Sequence, residues 1–354
     1  MRITRKVRGL AAYVHGEQPR ELDVIKLNTN EAAYPPSRKV MAELGKVAPE
    51  SLRRYPDAEF ADLRAELARF HRTRAETIFV GNGSDEILSL LADAFVEDDE
   101  IVCTLDPSYS LYRNLAAIRG VEWRGIDWGA GGLQARPPRK CSLFIWTNPN
   151  NPTGIRVPVK EIAAFAEGFR GVVVVDEAYV DYSPANCMRL ATSSRNRNVI
   201  VMRTFSKAYA LAGLRIGYCV GPKDLISALY RIKDSYNVDA VAQRLALAAV
   251  RDQAGLKATV RKVLRTRKRF AAELEKRGWN VLPSGANFIF ARPPTAGKPP
   301  SFAFGEAERL FLALRSRRIY VRYFKGPKTG DRIRITIGTD AQMRRVLREL
   351  DALS

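Results

Sequence analysis

The run Gly171-Val172-Val173-Val174-Val175, closed by Asp176, most restricts what this chain can fold into. Four consecutive valines have no polar face. A strand made of them must be covered on both sides, as at the centre of a parallel sheet. Parallel strands need long crossovers, and helical patterns lie near this run at residues 159–168 and 223–232. The same alternation extends through the first two-thirds of the chain. Helices are expected at 38–47 (capped by Ser37), 59–71, 87–95 and up to 118. Strands are expected at 77–80, 100–104, 121–126, 142–146, 198–202 and 214–220, with a loop at 129–139.

Beyond residue 240 the pattern changes. A long helix pair runs to Lys276, with short strands near 280–282 and 287–291 and a helix at 302–317. Alternating strands follow at 319–324 and 332–337, then a closing helix at 344–353. The expectation is α/β. An irregular arm (1–37) returns to a small α+β domain (241–354), and a large domain (38–240) is built on a mostly parallel sheet.

Composition excludes several classes. No apolar run approaches the ~20 residues of a membrane span, and the basic start lacks the apolar core of a secretory signal. The four cysteines are widely spaced and lie mostly in apolar runs, which suits buried thiols in a cytoplasmic protein. With two histidines, a multi-histidine metal site is excluded, and no metal is expected. The net charge of +20 is uneven: from Arg251 to Ser354 there are 24 Lys+Arg against 9 Asp+Glu. A nucleic-acid partner is one reading of that excess. The favoured one is a solvated face, because Arg261, Lys262, Arg265, Arg267, Lys268 and Arg269 share a helix with apolar Val260, Val263, Leu264, Phe270 and Leu274.

The chemistry concentrates at strand ends. Lys207 sits at a turn between two apolar runs, after Thr204 and Ser206 and eight residues before Arg215. A buried lysine loses its charge, and the neutral amine condenses with aldehydes. Two hydroxyls and a guanidinium suit a phosphate dianion. Together they describe a site for pyridoxal phosphate. Gly81-Asn82-Gly83-Ser84-Asp85 is a glycine turn opening a helix, a ready anion site. Asp176 at the end of the valine strand suits a pyridinium nitrogen, although a helix cap or sheet-end aspartate reads the same way. Tyr109 suits a flat ring or the core.

Four stretches in order, Asn148-Pro149-Asn150-Asn151-Pro152-Thr153-Gly154, Asp176-Glu177-Ala178-Tyr179, Ser206-Lys207 through Arg215, and Arg334-Ile335-Thr336-Ile337-Gly338, resemble the fold-type-I, class II aminotransferases. With Leu27-Asn28-Thr29-Asn30-Glu31, Arg54-Tyr55-Pro56, Gly83-Ser84-Asp85-Glu86 and Tyr236-Asn237-Val238, the chain is most similar to the histidinol-phosphate aminotransferase family. The resemblance implies pyridoxal 5'-phosphate held by Lys207, which also shuttles the substrate proton. It implies Asp176 at the ring nitrogen, Asn151 and Tyr179 at the ring oxygen, and Tyr109 stacked on the ring. Ser84, Asp85, Thr204, Ser206 and Arg215 would hold the phosphate, Ser84 and Asp85 through backbone N–H groups. Tyr55 would reach the neighbouring subunit's cofactor in a homodimer with shared sites. Arg334, Arg322, Tyr13 and Asn30 would contact the substrates.

Those substrates would be L-glutamate and imidazole-acetol phosphate, giving 2-oxoglutarate and L-histidinol phosphate in histidine biosynthesis. Guanidinium groups suit both carboxylate and phosphate. Three alternatives stay open: an aminotransferase for aromatic amino acids, a threonine-phosphate-type decarboxylase, and a nucleic-acid-binding regulator on the same fold. Lys325 and Lys328 read equally well as surface. The chain departs from the family at Ala32-Ala33, at Ser235 and at His15, in the arm and hinge.

Overall fold

A computed structural model describes residues 2–3, 5–10, 12, 15–21, 23–129, 132–295, 299 and 301–353. In chain order the strands are β1 (Ile25–Lys26), β2 (Ile78–Gly81), β3 (Ile101–Asp106), β4 (Glu122–Gly129), β5 (Gly132–Leu133), β6 (Cys141–Thr147) and β7 (Val172–Asp176). They continue with β8 (Val199–Thr204), β9 (Gly217–Val220), β10 (Asn280–Val281), β11 (Phe288–Arg292), β12 (Ile319–Tyr320), β13 (Arg322–Tyr323) and β14 (Ile333–Thr336).

Eight strands form one sheet in the order β2-β9-β8-β7-β6-β3-β4-β5. The run β8-β7-β6-β3-β4 is parallel, and β9 and β5 are antiparallel to their neighbours. The valine strand β7 lies inside this sheet, buried at every position. Its side chains alternate between two cores. Val173 and Val175 join Phe144, Trp146 and the helices Ala61–His71, Val159–Gly168 and Ala240–Arg251. Val172 and Val174 join Ile145, Met202 and the helices Gly83–Phe95, Leu111–Arg119 and Lys223–Ile232. That double cover is why the run needs no polar residue.

A third core lies under the antiparallel sheet β10-β11-β14-β13. Helices Gln253–Lys276, Phe302–Ser316 and Asp340–Asp351 supply Val263, Phe270, Leu310, Leu314, Met343 and Val346 to it. The basic helix buries Val260, Val263, Phe270 and Leu274 and leaves Arg261, Lys262, Arg265, Lys268 and Arg269 exposed; Arg267, expected on the same solvated face, instead turns inward and donates to Ala286 O.

Several details differ from the sequence expectation: the loop expected at 129–139 carries the short β5, the helix expected at 38–47 ends at Leu44, and three further differences bear on the site and the arm. Residues 319–324 form two strands in two sheets: β12 runs parallel to β1, and β13 pairs with β14. Ile25 N–H and Leu27 N–H donate to Arg318 O and Tyr320 O, so the arm uses the backbone ahead of Val321. The expected strand 214–220 begins only at Gly217; residues 212–214 are a 3-10 turn and Arg215 is left-handed, φ 47°. The closing helix starts at Asp340, because Thr339 and Gln342 form a reciprocal capping box.

All four cysteines are free and buried. Among the described residues no helix is long and apolar enough to cross a membrane, and no cluster of His, Cys, Asp or Glu is placed to hold a metal.

The start of the loop after β7 is tied to the end of β8. Glu177, which follows β7, takes both Nε and Nη2 of Arg203 at 3.0 and 2.8 Å, and also accepts from Cys187 N–H. Both side chains are withdrawn from water. Glu177→Ala removes the carboxylate bonded to the buried Arg203 charge and leaves it only Asp181 and Tyr218 nearby, a loss of up to about 3–5 kcal/mol. A urea midpoint is expected to fall accordingly, and to move far less on breaking the exposed Arg53–Glu50 pair.

Candidate active site

Strands β2, β8, β7, β6 and β3 all end at one edge of the sheet, where open α/β sheets place their ligands. The turns leaving them line a cavity of about 510 Å³ together with β13, β14 and the arm. Asn30, Ser84, Asp85, Tyr109, Asn151, Asp176, Tyr179, Thr204, Ser206, Lys207, Arg215, Arg322 and Arg334 all reach it. Tyr55 does not: it is 80% exposed and stacks on Tyr236, with ring centroids 4.4 Å apart. Tyr13 lies outside the described residues.

Lys207 follows β8 in a buried turn and donates from Nζ to Thr29 O at 3.2 Å. Burial, with the nearby charge of Arg334 adding, lowers its amine to about 8. A substantial neutral fraction therefore exists near physiological pH, as a nucleophilic amine requires.

Asp176 ends β7. Its Oδ1 accepts from Ala178 N–H at 3.0 Å and its Oδ2 from the Tyr112 hydroxyl at 2.6 Å. Burial pushes the carboxyl up to about 6, against the pull of those two bonds. It is still ionised at neutral pH, a deep anion suited to a cationic ligand atom. Tyr179 packs edge-on against Phe288, and its hydroxyl accepts from Asn30 Nδ2 at 2.9 Å. Asn30 is left-handed (φ 56°) and exchanges two further bonds with Thr336, so it acts here as a brace for Tyr179.

The anion end rests on two glycines. Gly83 begins helix Gly83–Phe95 at φ 77°, and a Cβ there would stand 2.7 Å from Arg215 Nη2. At Gly217 a Cβ would stand 2.9 Å from Ser84 N. Both positions keep clear the place where Arg215, Ser84 and the first N–H groups of the helix converge. Arg215 is held by Asp85 Oδ2 at 3.0 Å and reaches Ser206 Oγ at 3.5 Å, while Thr204 Oγ1 donates to Ser206 Oγ at 3.0 Å. The left-handed backbone at Arg215 turns its guanidinium to this corner, which a continuous strand could not do. Guanidinium, hydroxyls and helix N-terminus at one end, with the buried carboxylate of Asp176 and the amine of Lys207 in the same cavity, fit pyridoxal phosphate by their chemistry.

Arg322 and Arg334 face each other across β13 and β14 as register partners. Like charges directly opposite destabilise a sheet, so the pair calls for anions. Phe324 lies against both guanidinium groups, with its ring centroid 5.3 Å from Arg322 and 5.1 Å from Arg334. Arg334 is buried and fixed by Asn151 Oδ1 and by Asn28 O at 2.7 Å. Arg322 reaches His15 O at 3.5 Å, which brings His15 and Gln18 of the arm to the cavity.

Sequence reasoning gave two residues too little weight. Lys328 is no idle surface charge: its ammonium bridges Asp106, the last residue of β3, and its register partner Asp127 in β4, tying the loop between β13 and β14 to the large sheet. Among the described residues, Tyr112 carries the one side-chain hydrogen bond to Asp176. Its only sequence signal is its place one helical turn after Tyr109.

The Lys207 amine predicts a chemical signature in the protein without added cofactor. Reductive methylation of Lys207, followed by peptide mass spectrometry, is expected to reach half its limiting rate near pH 8. Exposed lysines lag until pH about 10.

Comparison with known proteins agrees with this geometry. The profile of the class I and II aminotransferases matches residues 22–350. The histidinol-phosphate aminotransferase of Citrifermentans bemidjiense is 40% identical, over 99% of this chain and 98% of its own. Histidinol-phosphate aminotransferase 2 of Rhizobium meliloti is 41% identical over 98% and 97%. Among solved structures, histidinol-phosphate aminotransferase from Sinorhizobium meliloti, in complex with pyridoxal-5'-phosphate, superposes with a TM-score of 0.89 at 28% identity, covering 100% of this chain and 98% of that one. With its fold, its lysine turn and a match over nearly its whole length, the chain belongs to the class I and II aminotransferases.

Proposed function

We infer that this chain is a histidinol-phosphate aminotransferase of histidine biosynthesis. It moves the amino group between L-glutamate and imidazole-acetol phosphate, giving 2-oxoglutarate and L-histidinol phosphate, with pyridoxal 5'-phosphate as cofactor. The observation that carries this is one cavity holding a buried amine lowered to about 8, a buried carboxylate, a phosphate corner and two facing arginines.

When bound, the cofactor supplies an electron sink for the carbanion left as the substrate Cα gives up its proton. Lys207 would bind it through its amine and, once freed by substrate, would take the proton from Cα and deliver it to the cofactor's C4′ carbon. Asp176 keeps the ring nitrogen protonated. Tyr179 and Asn151 offer a hydroxyl and an amide to the ring oxygen, and Tyr109 covers the ring. Ser84, Asp85 N–H, Thr204, Ser206 and Arg215 hold the phosphate. Arg334, fixed before substrate arrives, takes the carboxylate of glutamate, and Arg322 takes the phosphate of the other substrate. The arm contributes through His15 and Gln18, with Asn30 bracing Tyr179.

Two further assignments go with this reading. The arm joins a small domain that begins at residue 253 rather than at 241 as the sequence suggested; the pairing of β1 with β12 and the packing of Ala240–Arg251 on the first core support this. The enzyme is a cytoplasmic homodimer with shared sites, supported by an exposed Tyr55 that lies outside its own cavity. The basic helix is a solvated face and no nucleic-acid partner is invoked.

Loaded with pyridoxal phosphate, the protein is expected to show a visible absorption band. L-Glutamate or L-histidinol phosphate should bleach it, and imidazole-acetol phosphate should restore it after glutamate. Lys207→Ala should abolish the band. Arg334→Ala should raise the KM for glutamate by about 30-fold or more, as expected for losing a charge-assisted pair of bonds. Release of carbon dioxide with no recoverable acceptor would point to the decarboxylase instead. Shared sites are tested by mixing: Lys207→Ala and Tyr55→Ala proteins, each impaired alone, should regain up to about a quarter of wild-type activity on subunit exchange.

A further inference from the structure

A polar chain leads from the cavity wall into the core and ends on Asp176. Ser108 Oγ lies 3.1 Å from Thr147 Oγ1, and Thr147 Oγ1 lies 2.7 Å from the Tyr112 hydroxyl. The Tyr112 hydroxyl lies 2.6 Å from Asp176 Oδ2. Ser108, Thr147 and Asp176 line the cavity; Tyr112 does not, and its side chain is fully buried.

We propose that Tyr112 is a positioning residue for the cofactor's ring nitrogen, its hydroxyl spending its one proton on Asp176 Oδ2 and so keeping that carboxylate anionic and aimed. This rests on the placement of Asp176 at the ring nitrogen given above.

The direction of the chain follows from proton counting. A phenol has one O–H to give, and an ionised carboxylate accepts only. Tyr112 therefore donates to Asp176 and must accept from Thr147. Thr147, having spent its own proton, accepts from Ser108. All three hydroxyls point the same way, and each bond strengthens the next. The Tyr112–Asp176 separation falls in the short range of bonds to a charged acceptor.

Geometry separates this role from core filling. Helix Leu111–Arg119 buries Tyr112, Leu115 and Ala116 together, so a phenylalanine ring would pack as well. Tyr109 meets Tyr112 edge-on, at 87° and 5.5 Å between centroids, which fixes the phenol's orientation. With Ala178 N–H on Oδ1 and Tyr112 on Oδ2, both carboxylate oxygens have a fixed donor and the group cannot turn. Losing the phenol bond leaves burial, which favours the neutral acid, less opposed. A neutral Asp176 is a poor partner for a pyridinium.

The test measures binding to the full-length apoprotein by equilibrium dialysis. Two ligands are used: pyridoxal phosphate and its 1-deaza analogue, in which a carbon replaces the ring nitrogen. Tyr112→Phe is expected to weaken pyridoxal phosphate about tenfold, the size of a lost bond to a charged group, and to leave the deaza analogue unchanged. Thr147→Val, which removes the donor to the phenol, is expected to give a smaller loss with the same selectivity, and it carries the test if Tyr112→Phe does not fold. Equal losses for both ligands, or no loss, would overturn the proposal. Asp176→Asn separates the two readings. If it erases the preference for pyridoxal phosphate while Tyr112→Phe leaves that preference intact, only the role of Tyr112 falls. If the preference survives Asp176→Asn, the placement of Asp176 falls and takes the role of Tyr112 with it.

Discussion

The burial of charge is the constraint on which the rest of this structure depends. Asp176, Glu177 and Arg334 are withdrawn from water, and the Lys207 amine lies deep enough for burial to lower it to about 8. Each would be costly alone. The surrounding architecture offsets those costs with fixed partners: Tyr112 and Ala178 N–H for Asp176, Arg203 for Glu177, Asn151 and Asn28 O for Arg334. Because the partners are rigid, the charged groups are already oriented before any ligand arrives. Lys207 has weaker compensation, a single carbonyl bond set against the repulsion of Arg334, and its protonation correspondingly moves into the physiological range.

The sheet makes this arrangement affordable. Five parallel strands and β2 deliver their exits to one edge, so short turns suffice to bring Ser84, Tyr109, Asn151, Asp176 and Ser206 to one cavity. The second sheet contributes the facing arginines, and the arm, stitched to β12, closes the cavity's outer side with His15 and Gln18. Lys328 fastens that second sheet's loop to Asp106 and Asp127, near the turn that carries Tyr109.

Much of this was legible in the chain. Residues 159–168 and 223–232 are helical as their apolar spacing indicates, and the valine run lies inside the sheet because no other placement covers both its faces. The lysine turn with its hydroxyls and arginine was legible as chemistry. The left-handed turn at Arg215 was not, since an apolar run looks like a strand until the guanidinium's destination at Gly83 is known. The break at Val321 escaped for a similar reason: which backbone groups pair with the arm is not encoded in alternation. Tyr112 reads as an ordinary core tyrosine, and only the position of Thr147 and Asp176 on neighbouring strands gives its hydroxyl a purpose.

The sequence by itself determined the α/β alternation, the glycine turn at a helix start, and the lysine, aspartate and arginines that carry the chemistry. These are local properties, set by periodicity, backbone freedom and residue type. The tertiary structure alone decided which buried charges meet, which side chains brace them, and how far burial shifts Asp176 and Lys207. Those depend on desolvation and on distances between residues far apart in the chain, and neither is a property of a local stretch of sequence.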